Sequence, residues 1–306
     1  MFDLIIVGAS AGGISAAVYA ARRRLNFKII TLDVGGEIAT CGEVENWPSV
    51  IHTTGLELAD QFKAQARANG VLIEEGKKVL EIRKEGNIFI VAGVNLDGSR
   101  FEDKAKTVLV ATGLHPRVLN VPGEKEFLHK GLSYCTVCDG PLFGGGTVAT
   151  IGGGNSALES AIALSAIAKK VYLINKNPKF KGEKVLLDKV ERAPNVEIIY
   201  EAWTTAILGD QFVTGLEYRD QSGETRRLAV TGVFVHIGQI PNSDLATGAE
   251  LDEAKQIKTD KFGATSLPGL YAAGDVTNIP YKQIVVAAGQ GVTALLAIVD
   301  YLNRNH

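Results

Sequence analysis

Cysteine is scarce in this sequence, and neither sign of charge predominates. The 306 residues include 3 cysteines, an odd number that is too small for a fold held together by disulfide bonds. The 32 basic and 34 acidic residues leave a net charge of −2, so the chain lacks both the basic surface typical of nucleic-acid binding and a charged tail. The 5 histidines show no paired spacing. We therefore expect neither a nucleic-acid partner nor a metal site.

The sequence also lacks the signals of export and of membrane insertion. Met1 leads almost at once into the apolar stretch 4–7, without the basic segment and cleavage site of a signal peptide. The longest uncharged stretch, 284–299, contains polar side chains and is shorter than the roughly 20 apolar residues that span a bilayer. We expect a cytoplasmic protein without a membrane partner, whose cysteines meet a reducing environment.

Glycine, by contrast, is abundant, and it recurs in a duplicated pattern. The 34 glycines are about 11% of the chain against a usual share of about 7%, and only 9 residues are proline. Segments 3–33 and 147–175 each carry an apolar strand, a glycine turn, an alanine-rich helix and a second apolar strand. This is the βαβ unit, used twice. With an apolar share of 46%, the pattern predicts an α/β protein with two nested three-layer dinucleotide-binding domains.

Two candidate crossing segments divide the chain into these domains. Residues 115–122 carry two prolines, and a second crossing is expected near residues 241–247. These positions predict a discontinuous first domain and an inserted domain that carries a pair of cysteines. The expected boundaries are 1–115 plus 247–306 for the first domain and 116–246 for the inserted one.

The first glycine turn, residues 8–13, is one substitution away from a dinucleotide-binding fingerprint. Gly8 makes the tight turn, the middle position (Ser10, beside Ala11) lets the backbone approach a pyrophosphate, and Gly13 lets the helix pack on the strand. The Ser10 hydroxyl is expected to donate to the phosphate, next to the positive end of the helix. Asp33, at the end of the second strand, is placed to bind a ribose diol. A close-packed turn without ligand would show the same glycines.

The second glycine turn is an intact fingerprint with alanine in its last position. The residues expected to bind a second dinucleotide are Gly152, Gly154, Asn155, Ser156 and Ala157. The strand that follows ends in Asn175 instead of an acid, and Lys176, Lys179 and Lys181 come next. Loss of the acid and gain of positive charge favour the 2′-phosphate of NADPH over the hydroxyl of NADH. An ordinary solvated turn would also carry lysines.

Two of the three cysteines are separated by two residues, in Tyr134-Cys135-Thr-Val-Cys138-Asp139-Gly140. This spacing allows a readily exchanged disulfide, and one thiol of such a pair usually has a lowered pKa. A zinc site would need further ligands that the sequence does not supply. Asp139 is either a proton donor for the redox chemistry or a turn residue. Cys41 has no partner in sequence and is expected to be a small core side chain.

These motifs together resemble the low-molecular-weight thioredoxin reductases and the closely related flavoprotein component of alkyl hydroperoxide reductase. The resemblance covers essentially the whole chain. Besides the glycine turns and the cysteine pair, it rests on Glu45-Asn46-Trp47-Pro48, Ala111-Thr112-Gly113, Ile237-Gly238-Gln-Ile-Pro241-Asn242, Ala273-Gly274-Asp275 and Tyr281-Lys282-Gln283.

The resemblance implies FAD in the first domain, a nicotinamide dinucleotide in the inserted domain, and a homodimer. It implies that Cys138 exchanges electrons with the flavin, that Cys135 attacks the disulfide of a thioredoxin-like partner, and that Asp139 is the general acid. The inserted domain is expected to rotate about its two crossings. Gly238 is assigned to the nicotinamide dinucleotide. Besides the first turn and Asp33, the implied FAD residues are Gly36, Glu37, Asn46, Ala111, Thr112, Gly113, Gly274, Asp275, Lys282, Gln283 and Ile284.

Departures from the family pattern leave more than one function open. Ser10 stands in place of a glycine, Glu37 in place of a glutamine, and Asn175 begins a segment that matches neither branch. Residues 138–143 resemble the peroxide-reductase branch, whose additional thioredoxin-like domain is expected here to be a separate protein. A reductase fed by ferredoxin and a non-enzymatic redox sensor that holds FAD are also compatible with the motifs.

Overall fold

The computed structural model describes residues 1–41 and 43–305, so His306, at the end of the expected first domain, lies outside the described residues. The chain forms two compact units, and the first of them is discontinuous in sequence. The first unit consists of residues 1–115 and 240–306, and the inserted unit consists of residues 116–239.

The chain re-enters the first unit at Ile240, earlier than the residue 247 expected from the sequence. The physical reason is that the residues directly after Ile240 already bond within that unit. Asn242 Nδ2 donates to Thr112 O at 2.8 Å. Ser243 is almost fully buried, and its Oγ donates to Lys255 O at 2.6 Å.

The N-terminal part of the first unit supplies most of its sheet. Helix α2 in this part begins with a capping box, since Thr54 and Glu57 each accept a hydrogen bond from the other's backbone N–H. The elements in chain order are β1 (Phe2–Ala9), α1 (Ala11–Arg22), β2 (Phe27–Val34), β3 (Glu43–Val44), β4 (Thr53–Thr54), α2 (Gly55–Ala68), β5 (Ile73–Glu74), β6 (Lys77–Glu85), β7 (Ile88–Asn95), β8 (Arg100–Val110) and β9 (Leu114–Pro116).

The inserted unit contains a five-stranded parallel sheet, in the order β10-β17-β11-β12-β13, and a separate antiparallel sheet of β14, β15 and β16. The turn after β11 is the second glycine turn, and it leads into α4. The elements are β10 (Leu132–Ser133), α3 (Thr136–Asp139), β11 (Thr147–Ile151), α4 (Asn155–Ser165), β12 (Lys170–Ile174), α5 (Lys184–Arg192), β13 (Val196–Ile199), β14 (Trp203–Gly209), β15 (Val213–Arg219), β16 (Thr225–Ala229) and β17 (Gly232–Val235).

The last part of the chain completes the first unit with β18 (Gln239–Pro241), β19 (Leu270–Ala272) and α6 (Ile284–Arg304). Strand β19 joins the large sheet beside β8, and the order of strands along the main path of this sheet is β5-β2-β1-β8-β7-β6. Strands β5, β2, β1, β8 and β19 run parallel, whereas β6 and β7 are antiparallel additions. Both units therefore confirm the α/β class predicted from the duplicated βαβ pattern.

Helix α6 is longer than the uncharged stretch 284–299 that the sequence shows. It runs for 21 residues, and by length and composition alone it would pass for a membrane span. Its Ala294, Leu295 and Ile298 are fully buried in the core that contains α1 and β1. A core helix of a soluble domain has this same composition, so the helix by itself does not indicate a membrane protein.

Candidate functional site

The cysteine pair forms a disulfide bond at the start of a short helix. Cys135 and Cys138 are bonded, with their Cα atoms 5.3 Å apart, and both are half-buried. Cys135 precedes α3, and its Sγ accepts a hydrogen bond from the Cys138 N–H at 3.2 Å. After reduction, an N–H group in this position stabilises a thiolate on Cys135. Val137, between the two cysteines, is 67% exposed, so the redox turn reaches the surface.

Two polar residues flank the disulfide. Ser133 is buried, and its Oγ accepts the Cys135 N–H at 2.9 Å. Asp139 donates its backbone N–H to Cys135 O at 3.1 Å. Within the described part of the chain, the half-buried Asp139 carboxyl makes no hydrogen bond.

Behind the redox turn lies a chain of hydrogen-bonded side chains that we call the hydroxyl chain. It consists of Thr150, Ser160, Thr136 and His236. The Thr150 and Ser160 hydroxyls are 2.6 Å apart, those of Ser160 and Thr136 are 2.6 Å apart, and Thr136 Oγ1 lies 2.7 Å from His236 Nε2. Burial lowers the pKa of His236 to about 4, so this imidazole is neutral at pH 7. The chain thus contains no charge at neutral pH.

The first glycine turn joins β1 to α1, and its backbone lies close to the segment that contains Ala111. A Cβ atom at Gly8 would overlap Ala111 O, and one at Gly13 would overlap Gly8 O. Ser10 is the residue before α1, and no side chain caps that helix, whose first turn contains no acid. The free N–H groups and the positive helix end suit the pyrophosphate of FAD. The Ser10 hydroxyl donates to Gly35 O at 2.7 Å, and its donation to a phosphate stays a prediction.

Several of the remaining residues that the sequence assigned to FAD bond with one another or lie at the start of α6. Asn46 Nδ2 donates to Gln283 Oε1 at 3.3 Å, although the two are far apart in sequence. Lys282 Nζ donates to two backbone carbonyls, Asp275 O at 3.1 Å and Thr277 O at 2.6 Å. Gln283 precedes α6, and Ile284 is the first residue of that helix. A Cβ at Gly274 would lie 3.2 Å from Ala287 Cβ, near the start of α6.

Carboxyl groups gather at the same turn. Partial burial raises the pKa of Glu37, although the residue is exposed; His115 opposes this shift, whereas Asp33 and Asp275 add to it. Burial also raises the pKa of Asp275 to about 6, and Lys282 partly opposes the shift. Asp33, at the end of β2, accepts the Gly36 N–H at 3.1 Å through Oδ1. The side chains that would face a ribose and a flavin are therefore rich in acceptors.

The second glycine turn is built in the same way as the first. Gly154 precedes α4 in extended backbone conformation, and neither a side-chain cap nor an acid occupies the first turn of that helix. A Cβ at Gly152 would overlap His236 O. Asn155 is held by Glu183, whose backbone N–H donates to Asn155 Oδ1 at 2.7 Å. Ser156 and Ala157 follow in the first turn of α4, so the expected dinucleotide residues share one helix terminus.

Residues 175–181, which follow β12, are the ones expected to lie beside the ribose of a bound nucleotide. Asn175 is fully buried, and its amide is used within the loop, where Nδ2 donates to Lys179 O at 3.1 Å and Oδ1 accepts the Asn177 N–H at 3.0 Å. Lys176 and Lys181 are exposed. Gly238, in the left-handed region, packs against the side chain of Arg117. The loop therefore offers exposed positive charge and no carboxylate at the strand end.

Three further residues were assigned to no ligand from the sequence, although Asn242 lies in one of its motifs. Gln290 Oε1 accepts the Gly274 N–H at 2.8 Å, and a glutamine within the apolar α6 is a signal that was missed. Asn242 binds both Thr112 backbone and, through Oδ1, His115 Nδ1 at 3.1 Å. Cys41 is half-buried, and its Sγ donates to Glu37 O at 3.3 Å. Within residues 1–41 and 43–305, no cluster of side chains suits a metal ion.

The sequence matches the model of the pyridine nucleotide-disulphide oxidoreductases over residues 2–291. The chain belongs to this family. This chain is 33% identical to a thioredoxin reductase from Streptococcus pyogenes whose structure has been solved. The two structures superpose with a TM-score of 0.92, and the match covers 99% of each chain. The resemblance found in the sequence is thereby confirmed. The protein is a flavoprotein oxidoreductase of the thioredoxin reductase type, with a redox-active disulfide.

Two curated relatives are longer than the chain described here. It is 41% identical over 311 residues to an alkyl hydroperoxide reductase component of Pseudomonas putida. It is 40% identical over 306 residues to a Bacillus subtilis protein named NADH dehydrogenase. Each match includes 99% of this chain but only 58% and 59% of the two relatives.

Proposed function

We propose that the protein is an NAD(P)H-dependent thioredoxin-disulfide reductase. The observation that carries the proposal is the half-buried Cys135–Cys138 disulfide, which shares a unit with an intact dinucleotide turn while the other unit contains the FAD-type turn. Bound FAD would accept hydride from NAD(P)H and pass two electrons to the disulfide. The free N–H groups before α1, the Gly8–Ala111 contact and the loop residues Asn46, Lys282 and Gln283 would hold FAD in the first unit.

The two cysteines have different roles in the proposed exchange. Two electrons and two protons convert the disulfide to two thiols, with Cys138 as the sulfur that receives the electrons. The Cys135 thiol then gives its proton to Asp139, and the resulting thiolate, stabilised by the Cys138 N–H, attacks a disulfide of the partner protein, whose S–S bond breaks. Asp139 protonates the departing partner thiolate. Cys138 finally attacks the mixed disulfide, which restores the Cys135–Cys138 bond and releases the second partner thiol.

The Cys138→Ser variant tests this assignment. Anaerobic mixing with NAD(P)H should still bleach the flavin absorbance of this variant, whereas reduction of a thioredoxin disulfide should fall at least about a thousandfold because the sulfur is lost. Cys41→Ser, which removes the remaining cysteine, is the matched control and should retain both steps. If the Cys138→Ser variant reduced the thioredoxin disulfide at the wild-type rate, the proposed mechanism would be ruled out.

For the electron donor we propose NADPH, since exposed Lys176 and Lys181 follow a strand end that has no carboxylate. The printed name of the Bacillus subtilis relative favours NADH as the second candidate. Stopped-flow bleaching with each donor separates the two. Lys176→Ala should weaken the binding of NADPH about tenfold and leave the binding of NADH unchanged, because only NADPH carries the 2′-phosphate. Equal loss for both donors would contradict a phosphate contact.

The proposed partner is the disulfide of a thioredoxin-like protein, and the proposed state is a cytoplasmic homodimer. The similarity to the Pseudomonas putida relative supports a second candidate, in which the separate partner belongs to a peroxide-reducing system. Adding purified thioredoxin or a peroxiredoxin to the reduced enzyme discriminates between these partners. If neither NADPH nor NADH bleaches the flavin, a ferredoxin-fed reductase or an FAD-holding sensor replaces the proposal.

A further inference from the structure

The hydroxyl chain has a direction that follows from counting hydrogen atoms. Each of the three hydroxyls can donate one hydrogen. If His236 Nε2 accepts, Thr136 donates to it, Ser160 donates to Thr136, and Thr150 donates to Ser160, so every hydrogen has an acceptor. If Nε2 donates instead, three hydroxyl hydrogens share only two hydrogen-bonded contacts between hydroxyls. One hydroxyl hydrogen of Thr150, Ser160 or Thr136, all three of which are buried, would then have no acceptor among the described side chains.

The direction agrees with the protonation state of the imidazole. Burial is the single cause of the lowered pKa of His236, and no charged side chain of the described residues contributes to it. A neutral imidazole can present a bare Nε2 as acceptor, whereas a charged one cannot. The chain therefore begins at Thr150 in β11, passes through Ser160 in α4, and ends at His236 directly after β17.

Thr136 is the point at which this chain meets the redox turn. It is the first residue of α3 and lies between the two cysteines. From Thr136 the hydroxyl chain runs through Ser160 on α4 to Thr150 on β11, and these two elements flank the second glycine turn. The backbone of His236 is fixed on the same elements, because its N–H donates to Ile151 O at 2.7 Å and its carbonyl fills the space beside Gly152.

We propose that His236 is a positioning residue for the Cys135–Cys138 disulfide. As a neutral acceptor it holds the Thr136 hydroxyl, and through it the first turn of α3, so that the Cys138 N–H stays directed at Cys135 Sγ. This inference rests on the proposed function only in requiring that the cysteine pair be redox-active. Without the anchor, the N–H group moves away from the sulfur and stabilises the thiolate less, which raises the thiol pKa of Cys135.

The test uses the full-length enzyme with bound FAD and two variants that break the link from opposite ends, His236→Leu and Thr136→Val. The rate at which iodoacetamide alkylates Cys135 in the reduced enzyme, measured against pH, gives the thiol pKa. We expect both variants to raise this pKa by about one unit, with about tenfold slower alkylation below it. The kcat for disulfide reduction should fall while the KM for NADPH stays unchanged.

Conservative variants separate positioning from a merely structural role. His236→Gln retains an acceptor oxygen, and Thr136→Ser retains the hydroxyl, so both should restore most of the wild-type pKa. His129→Asn is the matched control, since His129 is exposed in the same unit and its positive φ of 62° suits asparagine. Should His236→Leu fail to fold, as judged by circular dichroism, Thr136→Val and Thr136→Ser decide the question.

An unchanged Cys135 pKa in folded Thr136→Val would overturn the inference, as would an equal shift in Thr136→Ser. The alkylation assay needs no partner protein. A wild-type enzyme that reduces no thioredoxin, but whose Thr136→Val variant shows the expected pKa shift, would therefore contradict the proposed function and support the role of His236.

Discussion

At the scale of single residues, two buried titratable groups give the two units opposite responses to pH. His236 in the inserted unit has its pKa lowered to about 4, and Asp275 in the first unit has its pKa raised to about 6. In both cases the cause is burial, which disfavours the charged form. An imidazole is charged when protonated, whereas a carboxyl group is charged when deprotonated. Burial therefore lowers the pKa of the histidine and raises the pKa of the aspartate.

For the inserted unit we expect stability to fall as the pH drops from about 6.5 to about 4, because the unfolded chain then binds a proton that folded His236 rejects. The slope is about 1.4 kcal/mol per pH unit at most. Urea unfolding at pH 7 and pH 5 measures it. His236→Gln should remove this dependence, and an identical slope in that variant would contradict the low pKa.

For the first unit without FAD the sign is reversed. Stability is fully present below the ordinary pKa of an aspartate and is lost as the pH rises towards 6, where folded Asp275 ionises. Asp275→Asn should therefore make the stability of this unit less dependent on pH between about 4 and 6. Urea unfolding across that range checks the prediction, with Asp60→Asn as control, since Asp60 is exposed on α2. A profile that matches the wild type would show that Asp275 is not the titrating group.

At the scale of elements, the packing of α1 against α6 places the first glycine turn. The two helices approach so closely that a Cβ at Gly291 would overlap Gly12 O, whereas one at Gly289 would meet nothing within 4 Å. The small residues of α1, which the sequence shows as an alanine-rich segment, are what permits this approach. The second helix of the pair comes from the other end of the chain.

Gly291→Ala should destabilise the first unit by about 1–3 kcal/mol, because the added methyl group forces the helices apart. It should also lower the FAD content, since Gly12 belongs to the first glycine turn. Gly289→Ala in the same helix is the control and should be neutral or stabilising by up to about 1 kcal/mol. Thermal unfolding and the flavin absorbance of the purified protein measure both effects. Equal behaviour of the two variants would contradict the proposed close contact.

At the scale of the whole molecule, each unit has a hydrophobic core of its own and one of the two tryptophans. Trp47 belongs to the first unit, where its ring packs edge-on against Phe62, and Trp203 begins β14 in the inserted unit. A Trp203→Phe variant thus reports on the first unit, and a Trp47→Phe variant reports on the inserted one. This distribution allows the unfolding of each unit to be followed separately.

We expect FAD to raise the unfolding temperature reported by Trp47 and NADPH to raise the one reported by Trp203. A ligand at 100 times its Kd stabilises the unit that binds it by about 2.7 kcal/mol. Tryptophan fluorescence during heating, with and without each dinucleotide, measures these shifts. If NADPH raised only the unfolding temperature reported by Trp47, the assignment of NADPH to the inserted unit would be wrong.

Much of the fold could be predicted because its signals are local. The strand, glycine turn and helix of each βαβ unit are consecutive, and glycine is required at Gly8, whose φ is 105°, and at Gly13, where a Cβ would overlap Gly8 O. The cysteine pair is local as well, since only two residues separate its members. Backbone sterics and the reach of a disulfide act within a few residues, and so they leave a pattern that the sequence shows directly.

The tertiary structure alone decided which polar groups meet. Asn46 binds Gln283 at a separation of 237 residues, and Thr136 meets His236 at a separation of 100. Ser10 uses its hydroxyl on Gly35 O, and Asn175 turns its amide into its own loop. Such bonds depend on where distant segments are brought by the sheets, and no periodicity in the sequence records them. The amino-acid sequence thus determined the two nucleotide turns and the redox pair, whereas only the fold brought His236 to the back of that pair.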